Sequence, residues 1–332
     1  MAQETRTVTV VVPNYNHARF LRRRIDSILG QTYQDFDLIL LDDCSTDDSR
    51  SILHEYASDS RVRFEFNEAN SGSPFKQWNK GVRLARGKYV WIAESDDYAS
   101  ERFLERLVPV LDASPKVHFV YCRSWRVTGD DHPDGFADTN FAGLDTARWA
   151  ADFRVDGREE CRNYMVHSDT VQNASAVLFR RAAYEQVGGA DESLRVCGDW
   201  KLWASMMLTG DVSYVAEPLN YFRFHGGSVR HKTDVTKRDV AEWLQAVRWI
   251  LDRVTPSDDV LEKVYTHQAN RWVPVLLSPR IPLKVKLDTL RCARAIDPHL
   301  VRSAVRPALA TIQRKVQRHW HELRSRIAPA GT

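Results

Sequence analysis

Short apolar runs alternate with amphipathic stretches over the first 128 residues. The runs Thr7 to Val12, Phe36 to Leu41, Val62 to Phe66, Tyr89 to Ala93 and His118 to Val127 are short and apolar and read as strands. Between the first two, FLRRRIDSILGQ sets Leu21, Ile25, Ile28 and Leu29 at helical spacing and predicts an amphipathic helix whose arginines fall on its other faces. Alternating strands and helices predict a mostly parallel sheet flanked by helices. In DDCSTDDS, Ser45 with Asp48 three residues on fits a capping box opening the next helix, so this acidic turn follows a strand's C-terminal end. ESDD after YVWIA is placed likewise. Ligands of open α/β sheets bind outside the carboxyl ends of the strands, so both acidic turns face one crevice.

Beyond residue 128 the pattern changes. GDDHPDGFADTNFAGLD, within 129–157, is rich in Asp, Gly and Pro and predicts a long loop or lid. A second α+β stretch follows over 158–228. TVQNASAVLFRR reads as a strand running into a helix, GGADES as a turn and DWKLWASMML as a helix. From about 237 onward the chain reads as helical. The expected organisation is a catalytic region over 1–228, with a nucleotide-binding half at 7–128 and an acceptor-binding half at 129–228, and a mainly helical C-terminal region at 229–332.

Composition adjusts this picture at three points. With 43% apolar and 27% charged residues the chain is a folded protein and not a disordered one. A net charge of +3 gives no reason to expect nucleic acid as a partner, but the positive charge is concentrated late. Residues 280–326 hold twelve Lys or Arg against three Asp or Glu, and Ile312, Val316, Trp320 and Leu323 form one helical stripe there. Such a helix suits either peripheral contact with an anionic membrane or docking on the protein with a solvated basic face. The five cysteines are scattered singly and read as reduced thiols. Without a signal-like N-terminus or a run of about 18 apolar residues, the expected location is cytoplasmic, up to the inner face of a membrane.

Several residues could carry chemistry. Glu94, Asp96 and Asp97 crowd carboxylates that a divalent cation would reconcile, Mg²⁺ or Mn²⁺ by donor type; a solvated turn with a helix cap is the plain alternative. Pro13 and Asn14 break the first strand and leave Tyr15 at the crevice mouth, to stack on a base or to pack. Asp42 and Asp43 at the same mouth could accept the ring N–H of uracil or thymine, or serve as caps. Lys76 reads as a phosphate contact or an exposed helix lysine, and Asp199 as a base or a helix cap. Trp200 and Trp203 read as an acceptor platform or as core. His225 follows a predicted strand.

PNYNHARFLRRRIDSILGQTYQDFDLILLDDCSTDDS, NSGSPFKQWNKGVRLARGKYVWIAESDDY and GDWKLW together resemble the family 2 glycosyltransferases of GT-A fold, over roughly residues 7–228. That resemblance implies a Rossmann-like α/β fold with a C-terminal helical extension. It implies that Pro13, Tyr15 and Asp43, with Asp42 beside them, hold the nucleotide base, and that Asp96 contacts ribose or metal. It also implies that Asp97 binds an Mn²⁺ or Mg²⁺ bridging the donor diphosphate, with His225 near the metal or the phosphates and Lys76 a phosphate or nucleotide contact. Asp199 becomes the general base, and Asp191 the second candidate base or an acceptor contact. Many relatives carry an acidic pair where this chain has Gly198-Asp199, which bears on how the base is tuned. The implied reaction is an inverting transfer from a nucleotide-diphosphate sugar, UDP-linked by default with dTDP-rhamnose the alternative. Its acceptor is a hydroxyl on a glycan or lipid-linked saccharide, in bacterial surface polysaccharide synthesis. A sugar-nucleotide pyrophosphorylase would need a glycine-rich loop after the first strand, where VVVPNYNHARF has no glycine. A catalytically degenerate binding relative would differ by lacking turnover.

Overall fold

The computed structural model describes residues 6–138, 144–226, 239–305, 307–309 and 313. It divides into two compact units, residues 1–232 and 233–332. In the first unit the elements run β1 (Val8–Asn14), α1 (Ala18–Leu29), β2 (Phe36–Asp42), α2 (Ser49–His54), β3 (Val62–Phe66), α3 (Pro74–Leu84) and β4 (Tyr89–Ile92). Then come β5 (Tyr98–Ala99), α4 (Phe103–Asp112), β6 (Val117–Thr128), β7 (Pro133–Phe136), β8 (Phe153–Val155) and α5 (Gly157–Glu160). The unit closes with β9 (Val177–Arg180), α6 (Arg181–Gln186), α7 (Gly198–Met207) and β10 (Asp211–Phe224).

The strands form one sheet in the order β3-β2-β1-β4-β9-β6-β10-β5, with β7 added to β6 and β8 to β10. β3, β2, β1 and β4 are mutually parallel, as are β6 and β10; β9 runs antiparallel between β4 and β6. Every residue of β1 and β4 is buried, which explains their unbroken apolar character. One core layer joins Val8, Val10 and Val12 of β1 to Leu21, Ile25 and Ile28 of α1 and to Trp91 and Phe103. The chain moves from β1 outward through β2 and β3, then returns to the other side of β1 with β4. The reversal opens a crevice at the C-terminal ends of β1 and β4.

Four expectations are corrected. β1 runs through Pro13 to Asn14, because Pro13 pairs with Leu41 of β2, whereas the pairing with β4 ends at Val11 and Ile92, so no partner there needs the missing N–H. Residues 129–157 are not one irregular loop: β7 and β8 lie within them and extend the sheet at β6 and β10. The capping box does not form. Ser45 Oγ instead accepts from the Asn16 N–H and the Asn14 amide, while Asp47 accepts from the Ala18 and Ser49 N–H groups at the starts of α1 and α2. Finally, Arg24 of α1 is fully buried.

The second unit holds α8 (Asp239–Leu251), α9 (Asp258–Leu277) and α10 (Leu283–Ile296), with α10 packed on both others. The stripe Ile312, Val316, Trp320 and Leu323 lies outside the described residues. No helix among the described residues is long and apolar enough to cross a membrane. All five cysteines are unbridged.

Candidate active site

At the end of β2 the two aspartates take separate tasks. Asp42, fully buried, accepts from the Asn14 amide (3.1 Å), the Ser45 N–H (3.0 Å) and Arg50 Nε (2.9 Å), which fixes the turn between β2 and α2. Asp43 accepts from the Asn67 amide (2.6 Å), the Gln77 amide (2.9 Å), and both the N–H and the hydroxyl of Ser71. Its carboxylate therefore pins the β3–α3 loop to the crevice. Tyr15, 44% exposed, stands at the β1 exit. Lys76 is exposed on the first turn of α3, its Nζ 3.3 Å from the Ser71 carbonyl.

The turn after β4 is the electrostatic centre of the crevice. Trp78 Nε1 donates to Glu94 at 2.6 Å, but burial and then the neighbouring Asp96 charge push the Glu94 carboxyl up to about 8. Burial acts on Asp96 the same way, yet its contact with His225 Nε2 at 3.0 Å, with His17 close by, holds it below the usual carboxylate range. Asp97, 2% exposed, is pushed up by burial and by Asp96. Its two oxygens accept from the Asn173 amide and the Arg223 N–H, both at 2.8 Å.

Two guanidinium groups brace this turn. Arg24 donates Nε to the Glu94 carbonyl at 2.8 Å, and its two terminal nitrogens have no hydrogen-bond partner. Burial draws it down to about 10, opposed by the charges of Asp97, Asp96 and Glu94. Arg223, 3% exposed, donates Nε to the Asp96 carbonyl at 2.6 Å and pairs with Asp131.

One carboxylate oxygen of Asp96 and one ring nitrogen each of His17 and His225 lie within 4.8 Å of one another. This N,O,N donor set fits a divalent transition ion better than Mg²⁺, which prefers oxygen alone. His17 Nδ1 is 2.8 Å from Ser95 Oγ, and donation in that direction leaves Nε2 as the electron-pair donor. Asp96 and His225 were expected at such a site. Asp97 was too, but it points into the protein and stands outside the group. His17 was missed, although its signal was present: an imidazole three residues after a strand end that opens on the crevice.

Asp199 is the second residue of α7 and half-buried; its Oδ1 accepts from the Trp200 N–H at 2.8 Å. Gly198 before it is required by packing, since a Cβ there would stand 2.4 Å from the Phe75 ring of α3. Asp191 binds Lys201 Nζ at 2.6 Å and the Ser193 hydroxyl at 2.6 Å, and these hold it down to about 2, far too acidic for a base working near neutrality. The proposed aromatic platform is corrected. Trp200 (1% exposed) donates to the Met165 carbonyl, and Trp203 (0%) packs among Trp78, Phe119 and Phe179, so both rings are core because α7 is enclosed on most faces.

A family model, glycosyl transferase family 2, matches residues 9–188. The chain belongs to glycosyl transferase family 2. Among relatives of this family 2 member, an uncharacterised glycosyltransferase of Nostoc sp. is 28% identical over 67% of this chain, and the match spans 66% of that protein, just under two thirds. Two solved structures share its fold. Staphylococcus aureus TarS (residues 1–349), crystallised with UDP-GlcNAc, superposes with a TM-score of 0.69 at 16% identity, covering 94% of this chain and 92% of that one. The mannosyltransferase PcManGT of Pyrobaculum calidifontis, in complex with GDP-Man and Mn²⁺, gives 0.55 at 16% identity, covering 93% and 88%. TarS is a poly(ribitol-phosphate) β-N-acetylglucosaminyltransferase.

Proposed function

We propose that this family 2 protein is a divalent-metal-dependent, inverting glycosyltransferase that moves a sugar from a nucleotide-diphosphate donor to an acceptor hydroxyl. The observation that carries this reading is the convergence of His17, Asp96 and His225 at the point where the strand order reverses. Those three residues would hold the ion, which when bound supplies positive charge to the leaving diphosphate. Tyr15 would stack on the base, with Pro13 and the loop pinned by Asp43 shaping its pocket, and Lys76 adds a mobile charge on the same side. Asp97 is the buried prop of the metal turn. Asp199 takes the acceptor proton as the oxygen attacks the anomeric carbon, and a single displacement inverts configuration.

α3 supports a shared role for these groups, because it bonds Asp43 directly and meets the immediate neighbours of Asp199 and of the acidic turn. Phe75 packs on Gly198 beside Asp199, Gln77 reaches Asp43 and Trp78 reaches Glu94. UDP-sugars are the favoured donors, in line with the UDP-GlcNAc of the TarS complex, and dTDP-rhamnose is the alternative. A surface glycan or lipid-linked saccharide is the acceptor class, by analogy with the polymer that TarS modifies.

Thermal shift with UDP or dTDP, with and without Mn²⁺, tests the reading. Nucleotide should raise the melting temperature, more so with Mn²⁺, and Asp96→Asn should remove the metal's increment. Asp199→Asn should keep that binding but lose on the order of 10²- to 10⁴-fold in turnover. If no nucleotide stabilises the wild-type fold, the assignment fails.

A further inference from the structure

α10 buries Thr289, Ala293 and Ile296 against its neighbours. A separate, solvent-exposed face holds Leu283, 71% exposed, Leu287, 54%, and Leu290, 36%. At 100° per residue these three leucines share an arc of about 60°, and Arg294 falls inside it. Lys284 and Arg291 flank the arc on one side and Lys286 on the other. The nearest acid, Asp288, lies beyond the basic flank, 3.8 Å from Arg291. Spacing of four residues recurs just downstream, where Val301, Val305 and Leu309 are exposed on helical backbone beside Arg302.

Exposed leucines cost hydration free energy, and six of the nine exposed large apolar side chains among the described residues lie between Leu283 and Leu309. A second copy would bring the same cations into contact with themselves, whereas an anionic lipid surface satisfies both parts of the face at once. Leucines enter the acyl boundary while the flanking Lys and Arg reach the headgroups. We infer that the exposed face of α10, with the exposed Val301, Val305 and Leu309 downstream as a second apolar stretch, docks this protein on an anionic membrane surface. This goes beyond the catalytic reading and does not depend on it.

The test is flotation of the full-length chain with phosphatidylglycerol–phosphatidylcholine vesicles and with phosphatidylcholine vesicles alone. Wild type should float with the anionic vesicles, and much less as salt rises. K284Q/R291Q/R294Q should weaken that binding on the order of a hundredfold, from about fivefold per cation near the surface. L283Q/L287Q/L290Q should weaken it at least about tenfold. The arginine-for-lysine exchange K284R should bind as wild type does. The substituted side chains are exposed, and unchanged melting curves check that the fold survives. The proposal is overturned if wild type ignores anionic vesicles at low salt, or if both triple variants bind as wild type does. It is also overturned if the leucine variant merely turns a dimer into a monomer by sedimentation while lipid binding is unaffected.

Discussion

Gly198 and Asp191 show how neighbouring contacts set the roles of single residues around Asp199. An alanine at 198 drives its Cβ into the Phe75 ring, and overpacking of this kind costs about 1–3 kcal/mol. Gly198→Ala should lower the urea unfolding free energy by that amount, and adding Phe75→Leu should recover part of it. Equal stability of the single variant and wild type would refute the packing account. At 191 the prediction depends on pH. Lys201 and then Ser193 hold the Asp191 carboxyl at about 2, below its unfolded value of roughly 3.9. A group depressed in this way contributes stability above the unfolded value and loses it as pH falls through the folded one. Both side chains of the pair are 30% exposed, so solvent screening reduces the contribution to roughly 1 kcal/mol. Asp191→Asn should cost about that much near neutral pH and nothing once the pH is well below 2. A loss of equal size under both conditions would point to a cause other than the ion pair.

At the scale of elements, the turn between β4 and β5 is only as stable as the arginines that brace it. Arg24 is the sole guanidinium of α1 that is fully buried, and it faces Glu94, Asp96 and Asp97. Removing one partner of a buried charge set costs about 3–5 kcal/mol. Arg24→Met should therefore lower thermal stability sharply, and Arg24→Lys less so, with calorimetry as the readout; a Met variant as stable as wild type would mean that the turn needs no buried cation. This arginine was hidden in the sequence because helical periodicity sorts side chains by polarity, and a buried cation violates that sorting. β1 and β4 were legible for the opposite reason, since strands buried on both faces have unbroken apolar runs, whereas β3, half-buried throughout, showed as Val62, Phe64 and Phe66 alternating with Arg63 and Glu65. β7 and β8 carry exposed or half-exposed residues in Asp-, Gly- and Pro-rich context, which erased their signal. The acidic turn was legible as ESDD, but which aspartate faces the crevice was not. That choice is made by Asn173 and Arg223, which draw Asp97 inward from 76 and 126 residues away.

For the whole molecule, every residue assigned a role in transfer lies in the first compact unit, together with its own continuous core. His225 is the last of them and is held there by Asp96. The residues of the proposed lipid-binding face all belong to the second unit, so the proposed sugar chemistry and the proposed membrane contact would fall on different parts of the chain. A chain ending at Lys232 should then melt cooperatively and keep the Mn²⁺-dependent stabilisation by nucleotide, since a ligand that binds only the folded state raises its melting temperature wherever its site is intact. The same truncated chain should no longer float with anionic vesicles. If it instead fails to fold, the helical unit supplies part of the stability of the catalytic one. If it folds but loses the nucleotide response, residues beyond 232 belong to the donor site and the assignment of transfer to the first unit is wrong.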